Sequence, residues 1–409
     1  MKKTILLFAV VASLSSRAQI TKAFALTDAT KGGYQWNQIQ IIDLKDGGIT
    51  STLVDGRKTT ALVKYDNGTA STTQTLTNGT NTVQIMPVGQ SSAALAFDQE
   101  HNRIYFSPMF QMGEIRYVNL DDASPYVHVL KFNQRVNNAT DHEADNFTRM
   151  VIGSDGDGYA ITNDANSFIH FTTGETTTIE DLGGLMDDQK NTVSIHDRSA
   201  SWGGDIVADA FGKFYLFTVS NNVFKINPAT KIATFMGKIQ GLSAGFTTNA
   251  AAVNAEGAII IGSAVKAGEY YTLDLDKMTA TILPGSNVAF NVSDLATSNL
   301  YDQDKYNKSL QAWNVPTTPA ANDGVVSVYP NPVTDGHVKV VFSGVDNGNY
   351  TLTLANQSGQ YLTEKQTTVF SKGQSQDLYI NPKLAKGTYY IKVNDMDKKK
   401  VSTASFVVE

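Results

Sequence analysis

The sequence of 409 residues contains no cysteine. Disulfide bonds, thiolate nucleophiles, zinc sites with cysteine ligands and a lipid anchor on an N-terminal cysteine are therefore excluded. A chain without such cross-links has to be stabilised by the burial of apolar side chains. This favours a large and repetitive β core.

The sequence also has no block of positive charge to offset its formal net charge of −6. Nucleic-acid-binding proteins usually show a clustered basic surface, so we expect no nucleic-acid partner. The one basic run is Lys398-Lys399-Lys400, which lies between two strand-like segments. It is predicted to be a solvated hairpin turn.

Long apolar runs are missing after the N-terminus. There, Lys2 and Lys3 precede an apolar run over residues 5–14, which is followed by small residues at 16 and 18. This is the pattern of a secretory signal peptide cleaved between Ala18 and Gln19, and the run is too short to span a bilayer. We therefore predict a signal peptide over residues 1–18 and no transmembrane segment in the mature chain.

Motifs of common catalytic and cofactor sites are missing as well. The six histidines include no pair at the spacing of a helical zinc site. A serine nucleophile elbow, a phosphate-binding loop and a dinucleotide fingerprint are absent. We therefore assign no catalytic residue, no metal ligand and no cofactor from motifs.

The sequence does contain a recurring β unit between residues 20 and 300. Polar and apolar residues alternate, with Gly, Asn and Asp between the runs, and no long stretch has the helical period. The first half of the unit is an apolar strand, a turn with Asp or Asn, and a strand that opens on an aromatic or branched residue; it begins at residues 95, 151, 206 and 252. The second half is a strand that ends in a polar turn and precedes a Thr- or Val-rich strand; it begins at residues 41, 117, 169, 224 and 271.

A first half is missing at the start of this body and is found at its far end, over residues 290–296. Pairing that segment with the second half that begins at residue 41 would close a ring of four-stranded sheets and remove exposed edges. This order predicts an all-β fold with a five- or six-bladed β-propeller over residues 19–300. The turns at residues 98–102 and 209–212 resemble those of the broad β-propeller superfamily without indicating one family.

Residues 55–92 are rich in Thr, Asn and Gly and decide the number of blades. They could be a sixth blade whose pattern has degenerated, or a hairpin insertion. The stretch is short for four strands, which favours the insertion.

The richest polar cluster is Asp141-His142-Glu143-Ala144-Asp145-Asn146, on the connection into the third unit. Its oxygen atoms could hold a hard cation or act as an acid/base pair at the mouth of a propeller. An exposed acidic loop that joins two blades is the alternative, and it is more common. Residues 154–158 resemble a calcium loop only superficially, and their place in the repeat predicts a tight turn.

A second cluster occupies residues 196–205, just before an inner strand. Loops at this place in a propeller face one mouth of the channel, where an aromatic ring beside a cation and a carboxylate suits a sugar or a peptide side chain. Trp202 could equally pack between adjacent blades. Trp202, Arg198, Asp205, Asp141 and Glu143 are our candidate ligand-binding residues.

The pattern changes after residue 300. Residues 301–324 are polar and small, with Pro316 and Pro319 near their end, and are predicted to be an extended linker. Seven short strand-like runs follow between residues 325 and 408. They predict a small immunoglobulin-like β-sandwich, whose first strand should lie at a sheet edge because two prolines follow it.

Three motifs in this tail carry a specific resemblance. They are Tyr329-Pro330-Asn331-Pro332, a segment with Leu354 and Gly359, and a segment with Gly387 and Tyr389. In order and spacing they resemble the type A C-terminal sorting domain of the type IX secretion system, over residues 325–409. Asn356 stands where an aspartate is frequent and Glu409 where a basic residue is common, but both departures leave the Pro-Asn-Pro segment and the glycine turn intact.

The resemblance implies export in two steps. The signal peptide would take the chain to the periplasm, and the type IX translocon would then recognise the tail, which a surface sortase usually removes. The protein would be secreted or attached to the outer surface of a Gram-negative bacterium. A carbohydrate-binding or adhesive immunoglobulin-like module is the alternative for the tail.

Two functions remain open for the body. The first is a non-enzymatic binding module for glycan or protein ligands, since no catalytic constellation is visible and propellers serve as rigid scaffolds for loops. The second is a carbohydrate-active hydrolase or lyase that uses Asp141, Glu143 and Asp205 at the channel mouth.

Overall fold

Two compact units make up the chain, which divides after Gln303. The computed structural model describes residues 21–56, 63–65, 70–71, 74–78, 81–85, 91–109, 114–122, 127–130, 143–174, 177–284, 290–312, 325–334, 337–357, 361–380, 384, 386–395 and 400–408. Most regular structure in both units is β-strand. None of the helices in these ranges is long and apolar enough to cross a membrane.

The first unit is a β-propeller, with five blades over its described residues. Each blade is an antiparallel sheet whose four main strands run from the central channel to the rim. From inner to outer strand, the blades are β25 (Val292–Ala296), β1 (Lys22–Thr27), β2 (Gln38–Asp43) and β3 (Ile49–Asp55); β8 (Ser92–Asp98), β9 (Arg103–Pro108), β10 (Ile115–Asn119) and β11 (Val127–Leu130); β12 (Phe147–Ile152), β13 (Gly158–Thr162), β14 (Phe168–Phe171) and β15 (Ile179–Asp181); β17 (Asp205–Ala208), β18 (Phe214–Phe217), β19 (Asn222–Asn227) and β20 (Ile232–Lys238); and β21 (Ala250–Val253), β22 (Ile259–Gly262), β23 (Tyr271–Asp274) and β24 (Thr279–Ile282). We number these blades 1 to 5.

The inner strands β25, β8, β12, β17 and β21 pack side by side around the channel. We call the face on which the chain enters these strands the top face, and the opposite one the bottom face. On the bottom face, the turn after an inner strand is built by one Asp or Asn side chain, which accepts a backbone N–H two residues further on. Asp98, Asp155, Asp209 and Asn254 all do this. Such turns are local, which is why they repeat visibly in the sequence.

The ring is closed by β25, the strand from the far end of the body. It pairs antiparallel with β1, and Leu26 lies opposite Asp294 in the register. The two strands are more than 260 residues apart in the chain, so the predicted closure of the ring is confirmed. A closed ring leaves no inner sheet edge open to another chain.

The described parts of residues 55–92 are short strands that do not form a four-stranded blade of their own. β4 (Val63–Tyr65) pairs in parallel with the outer strand β11, and β5 (Ala70–Ser71) pairs with β4. β6 (Gln74–Asn78) and β7 (Asn81–Ile85) form a separate hairpin. In blade 4, β16 (Met186–Asp187) extends the sheet in the same way by pairing with β20.

Apolar side chains fill the spaces between neighbouring blades. Leu26 and Ile39 of blade 1, for example, lie in one buried cluster with Leu95 and Phe106 of blade 2. Because side chains alternate along a strand, each sheet can pack against both of its neighbours. Full burial of such a side chain contributes about 1.5–3 kcal/mol, so the repeated packing supplies stability that disulfides do not.

Residues 297–301, which we call the strap, follow β25 across the bottom end of the channel. Ser298 donates to a side chain of blade 2 (2.9 Å) and Asn299 to a carbonyl of blade 5 (2.9 Å). Tyr301 exchanges backbone hydrogen bonds with blade 4. The strap therefore connects three blades other than the one that precedes it.

The segment predicted as a linker begins with ordered structure. Tyr301 belongs to the strap, and a helix, α2, runs over Gln303–Ala312. This helix contains no Gly or Pro, and Asp304 in its first turn is favourable to the helix dipole. Residues 313–324 lie outside the described residues.

The tail is a sandwich of two sheets with seven strands over its described residues. One sheet is β26 (Val326–Tyr329), β27 (His337–Phe342) and β30 (Gln374–Tyr379); the other is β29 (Tyr361–Val369), β28 (Gly348–Asn356), β31 (Gly387–Asp395) and β32 (Lys400–Val408). Both sheets contribute to one apolar core that includes Phe342, Leu354, Ile391 and Phe406. As predicted, β26 lies at an edge of its sheet and ends before Pro330.

Candidate functional site

Three of the candidate residues meet on the top face between blades 3 and 4. Arg198 Nη2 donates to Glu143 Oε2 at 3.0 Å, and the side chains of these residues are 73% and 59% exposed. The guanidinium carbon of Arg198 lies 4.8 Å from the centre of the Trp202 ring, a cation–π distance. We call Glu143, Arg198 and Trp202 the top-face patch.

The patch is positioned by a short helical turn, α1, at Arg198–Ser201. Asp197 caps its start, and its side chain accepts hydrogen bonds from the Ser199 hydroxyl (2.7 Å) and the Ser199 N–H (2.8 Å). These hydrogen bonds lower the pKa of Asp197. The cap therefore stays charged and fixes the direction in which Arg198 leaves the turn.

Arg149 of β12 anchors the loop beneath the patch. This fully buried guanidinium donates to the carbonyl oxygens of Thr162 (2.9 Å) and Asn163 (3.1 Å) in blade 3, and to those of Ser201 and Gly203 in the loop. Burial lowers the pKa of Arg149 to about 9, which leaves the group charged at neutral pH. Its hydrogen bonds therefore hold the two blades together below the patch.

Trp202 is the aromatic member of the patch. Its side chain is partly buried, and the indole N–H has no hydrogen-bond partner among the described residues. The Arg198 guanidinium covers one face of the ring. A ligand can thus contact the exposed part of the ring, or replace Arg198 on that face.

Asp205 does not join the patch. It is fully buried at the start of β17, where it accepts backbone hydrogen bonds from Ile206 (2.7 Å), Ala251 (2.6 Å) and Leu295 (3.2 Å). These bonds tie blade 4 to blades 5 and 1. A ligand on the top face has no access to this carboxylate, so Asp205 has a structural position instead of the ligand-binding one we expected.

Of the acidic connection, only the second half can be placed. Asp141 lies outside the described residues, whereas Glu143–Asp145 form a short 3-10 helix. No three His, Asp or Glu side chains converge as a metal site in the described part of the chain.

The calcium-like stretch over residues 154–158 is a tight turn, as predicted. Asp155 accepts from the Asp157 N–H (3.2 Å) and the Tyr159 hydroxyl (2.7 Å). Asp157 Oδ2 lies 2.9 Å from His170 Nε2. Both carboxylates are thus engaged within the blade.

Sequence analysis missed Arg149 and a second buried acid, Asp294 of β25. Asp294 Oδ1 accepts from the Leu95 N–H of blade 2 (3.0 Å), whereas Oδ2 has no hydrogen-bond partner among the described residues. Burial, and next the charge of Asp205, raise the pKa of Asp294, although nearby backbone amides oppose the rise. Burial also raises the pKa of Asp205. The available signal was a charged residue within a predicted inner strand. Charged side chains are rarely buried without a partner, so a charge at such a position points to a specific contact.

The central channel is narrow along its described part. Asp205 and Asp294 lie towards its top end, and the strap crosses its bottom end. The space between them is lined by the inner strands with Thr297 and Asn299, and it offers about 20 Å³ to the centre of a water-sized sphere. That is room for about one water molecule, so a sugar ring or a peptide cannot enter.

The first tail motif lies on the surface. Tyr329 is 57% exposed, and Pro330, Asn331 and Pro332 are exposed too. Both peptide bonds that precede the prolines are cis. Asn331 Oδ1 accepts from the Val407 N–H (2.9 Å), which ties this segment to the last strand.

The other tail motifs lie in or beside the core. Leu354 and Tyr389 are buried, and the Tyr389 ring stacks against Phe406 at 5.9 Å. Gly387 begins β31, and Gly359 lies outside the described residues. The motif residues thus divide into an exposed group and a buried group.

Comparison with protein families supports the resemblance of the tail. Residues 327–409 match the family described as secretion system C-terminal sorting domain. The chain therefore carries the sorting domain of the type IX secretion system, and it is exported to the cell surface or secreted. No curated protein matches the chain at a significant level.

Solved structures give only distant likenesses. PorZ, a surface component of the type IX system of Porphyromonas gingivalis, is 15% identical with a TM-score of 0.33; the match covers 94% of this chain and 51% of that one, about half its length. Virginiamycin B lyase from Staphylococcus aureus is 10% identical with a TM-score of 0.33, over 94% and 95% of the chains. A putative 6-phosphogluconolactonase from Bacteroides fragilis is 11% identical with a TM-score of 0.35, over 69% and 98%. Nothing about the activity of this chain follows from likenesses at this level.

Proposed function

We propose that the body is a non-enzymatic binding module, exported by the type IX route, that recognises a glycan or a protein ligand on its top face. The observation that carries this proposal is the top-face patch, in which the guanidinium of Arg198 contacts both the carboxylate of Glu143 and the partly exposed indole of Trp202. The narrow channel supports it, because the space between the inner strands has room for only about one water molecule. Loops held on a rigid ring of blades are a common way to present such a surface.

The chemistry of the patch suits a polar ligand with a flat apolar face. Glu143 can accept hydrogen bonds from hydroxyl or amide groups, and Arg198 can donate two to a carboxylate or to neighbouring hydroxyls. The ion pair between them is largely exposed, and such pairs contribute at most about 1 kcal/mol. A ligand can therefore open it at little cost and use both charges.

A glycan array and a peptide array with the purified full-length protein test this proposal. We expect binding that falls at least about tenfold in Arg198→Gln and Trp202→Ala, since Arg and Trp dominate binding surfaces. The matched control is Lys277→Gln, which removes an exposed ion pair with Asp274 (2.6 Å) away from the patch. Binding that survives both patch variants, or that Lys277→Gln weakens equally, would show that the patch is not the site.

A carbohydrate-active hydrolase or lyase is the alternative. A glycosidase needs two carboxyl groups about 5–10 Å apart on either side of the substrate. Glu143 is accessible, but Asp205 is sealed in the ring and cannot reach a polysaccharide. Polysaccharide cleavage by the wild type that is lost in Glu143→Gln would favour the enzyme over the binding module.

For the remaining parts of the chain we propose the roles that the resemblance implies. Residues 1–18 direct the chain to the periplasm, with cleavage between Ala18 and Gln19, which lie outside the described residues. The tail over residues 325–409 is then bound by the translocon and removed by a surface sortase. The linker that is cleaved lies within residues 301–324, after the strap and α2.

A further inference from the structure

Two fully buried carboxyl groups, Asp205 and Asp294, lie in the ring of inner strands. They differ in how their oxygen atoms are satisfied. Asp205 accepts hydrogen bonds from three backbone amides through its two oxygens. Asp294 uses Oδ1 to accept from the Leu95 N–H, and its Oδ2 makes no hydrogen bond of ordinary geometry among the described residues, although the backbone amides of Ala94 and Leu295 also lower the pKa of the group.

The surroundings offer one positive charge for two acids. The strands packed against β25 are β1, β8, β21 and β22. Over these strands the charged side chains are Lys22, exposed at the start of β1, and Asp98, buried at the bottom-face end of β8. The nearest cation is Arg149 of β12, whose charge acts on Asp205 while its N–H groups donate to carbonyl oxygens. Two buried negative charges so close together repel each other, and each is costly without solvent.

We propose that Asp294 is a neutral carboxylic acid at neutral pH, with its proton on Oδ2, and that Asp205 is the charged member of the pair. The proton turns the unsatisfied oxygen into a donor and removes the second buried charge. Because Asp294 lies on β25, the strand that closes the ring, closure then depends on one bound proton. Loss of that proton at higher pH loosens the closing strand.

The direction of the pH effect follows from linkage. The pKa of Asp294 is higher in the folded chain than in the unfolded chain, where it is about 3.9. The folded state therefore holds one more proton between these two values. The stabilisation is complete below about pH 4 and is lost as the pH rises through the folded pKa, with the unfolding constant rising up to tenfold per pH unit.

Denaturant unfolding of the full chain between pH 4 and pH 9 tests the proposal, with Trp36 and Trp202 as fluorescent reporters of the body. A background of His170→Asn is used, because the ion pair of His170 with Asp157 adds a slope of the same sign. We expect the unfolding constant to rise with pH in this background. Asp294→Asn, which has the same shape and is neutral, should make that rise smaller and match the parent at low pH. A smaller slope of the same sign remains, because burial also raises the pKa of Asp209.

Asp205→Asn is the matched control. It should destabilise the body and make the rise with pH smaller without removing it, because burial still raises the pKa of Asp294 when the charge of Asp205 is absent. If Asp205→Asn reduces the rise more than Asp294→Asn does, or if neither variant changes it, the assignment is wrong. Stabilisation by added Ca²⁺ at pH 8 in the parent but not in Asp294→Asn would also overturn it, because a cation would then neutralise the pair.

Infrared spectroscopy of the unmodified protein gives a second measurement that does not require a variant to fold. We expect a carbonyl band of one protonated carboxyl group at pH 7 in the folded chain, and its loss on unfolding at the same pH. A folded chain without this band at pH 7 would contradict the proposal.

Discussion

The body and the tail are both built from antiparallel strands, but they bury different kinds of side chain. The body buries Arg149, Asp205 and Asp294 completely, whereas the buried polar residues of the tail, over its described part, are Thr353, Thr367 and Ser402. The inner strands of a ring expose backbone amides and carbonyls towards the channel, and these groups need partners. Charged side chains that reach from one blade to the next can be these partners. A sandwich of two sheets has no central channel, so its backbone groups do not need partners of this kind.

The two units also differ in how far along the chain their partners lie. The ring is closed by β1 and β25, from opposite ends of the body, whereas β28 and β31 in the tail are about thirty residues apart. Closing a long loop costs more entropy before any contact repays it. The integrity of the body should therefore depend on a few distant contacts, and that of the tail on its local core.

The largest expected effect separates the units by function. Deletion of residues 325–409 should abolish the presence of the protein outside the native host cell, because the sorting domain is lost. The body should stay folded, with the same denaturation midpoint as in the full chain. The measurement is an immunoblot of medium, surface and periplasm, with the purified body as the folding control. Normal amounts of the shortened chain outside the cell would refute the role of the tail.

The next effect tests the closure of the ring. A chain that ends at residue 291 lacks β25 and the strap, and it should lose cooperative unfolding because blade 1 has no inner strand. A chain that ends at residue 312 keeps both and should unfold like the full body. Limited proteolysis and near-ultraviolet circular dichroism measure the difference. Equal protease resistance of the two chains would mean that the closing strand is dispensable.

The order of the half-units was enough to predict the ring and its closing strand. These features are visible because turns such as those at Asp98 and Asp209 use local hydrogen bonds and repeat with the blades. In the tail, the position of Pro330 and Pro332 predicted an edge strand for the same reason, since proline acts on its own residue and its neighbour.

The contacts of the site could be predicted only in part. Arg198 and Trp202 are close in sequence, but the pairing of Arg198 with Glu143 joins two blades across 55 residues. Asp205 looked like a channel-mouth ligand, yet it satisfies amides of two other blades. Whether a carboxylate faces a ligand or the backbone depends on the relative placement of blades, which no local pattern contains. The helix α2 was missed because it is short and mostly polar, so its composition resembles that of a linker.

Removal of the buried guanidinium should be the most costly point substitution. Arg149→Met leaves four carbonyl oxygens without their donor and Asp205 without a compensating charge, so we expect a loss of about 3–5 kcal/mol in the free energy of unfolding of the body. Lys339→Met in the tail removes an exposed ion pair with Asp377 (2.9 Å) and should leave the tail midpoint unchanged. Urea denaturation measures both. Similar small losses in the two variants would remove the contrast between the units.

Within the tail, two motif residues should separate folding from recognition. Leu354→Ala opens a cavity in the core and should cost about 2–5 kcal/mol of tail stability, with export reduced as a consequence. Tyr329→Ala removes an exposed ring and should leave the tail midpoint unchanged while export still falls. The two readouts are thermal unfolding of the purified protein and the extracellular fraction in the native host. Normal export of Tyr329→Ala would exclude a recognition role for this residue.

The smallest expected effect is a pH dependence at the edge of blade 3. The hydrogen bond to Asp157 raises the pKa of His170, while burial opposes the rise. A raised pKa means that the contribution of His170 to stability is complete below its unfolded pKa of about 6.5 and is lost as the pH rises through the folded pKa. Between pH 6 and pH 8, wild type should therefore lose stability that His170→Asn and Asp157→Asn do not lose. The effect of a buried acid begins at lower pH than that of His170. Subtracting the stability of His170→Asn from that of wild type at each pH leaves the contribution of His170. Identical curves for wild type and both variants would show that the His170–Asp157 pair does not stabilise the blade. Any remaining slope would then come from buried acids whose pKa is raised, such as Asp294 and Asp209.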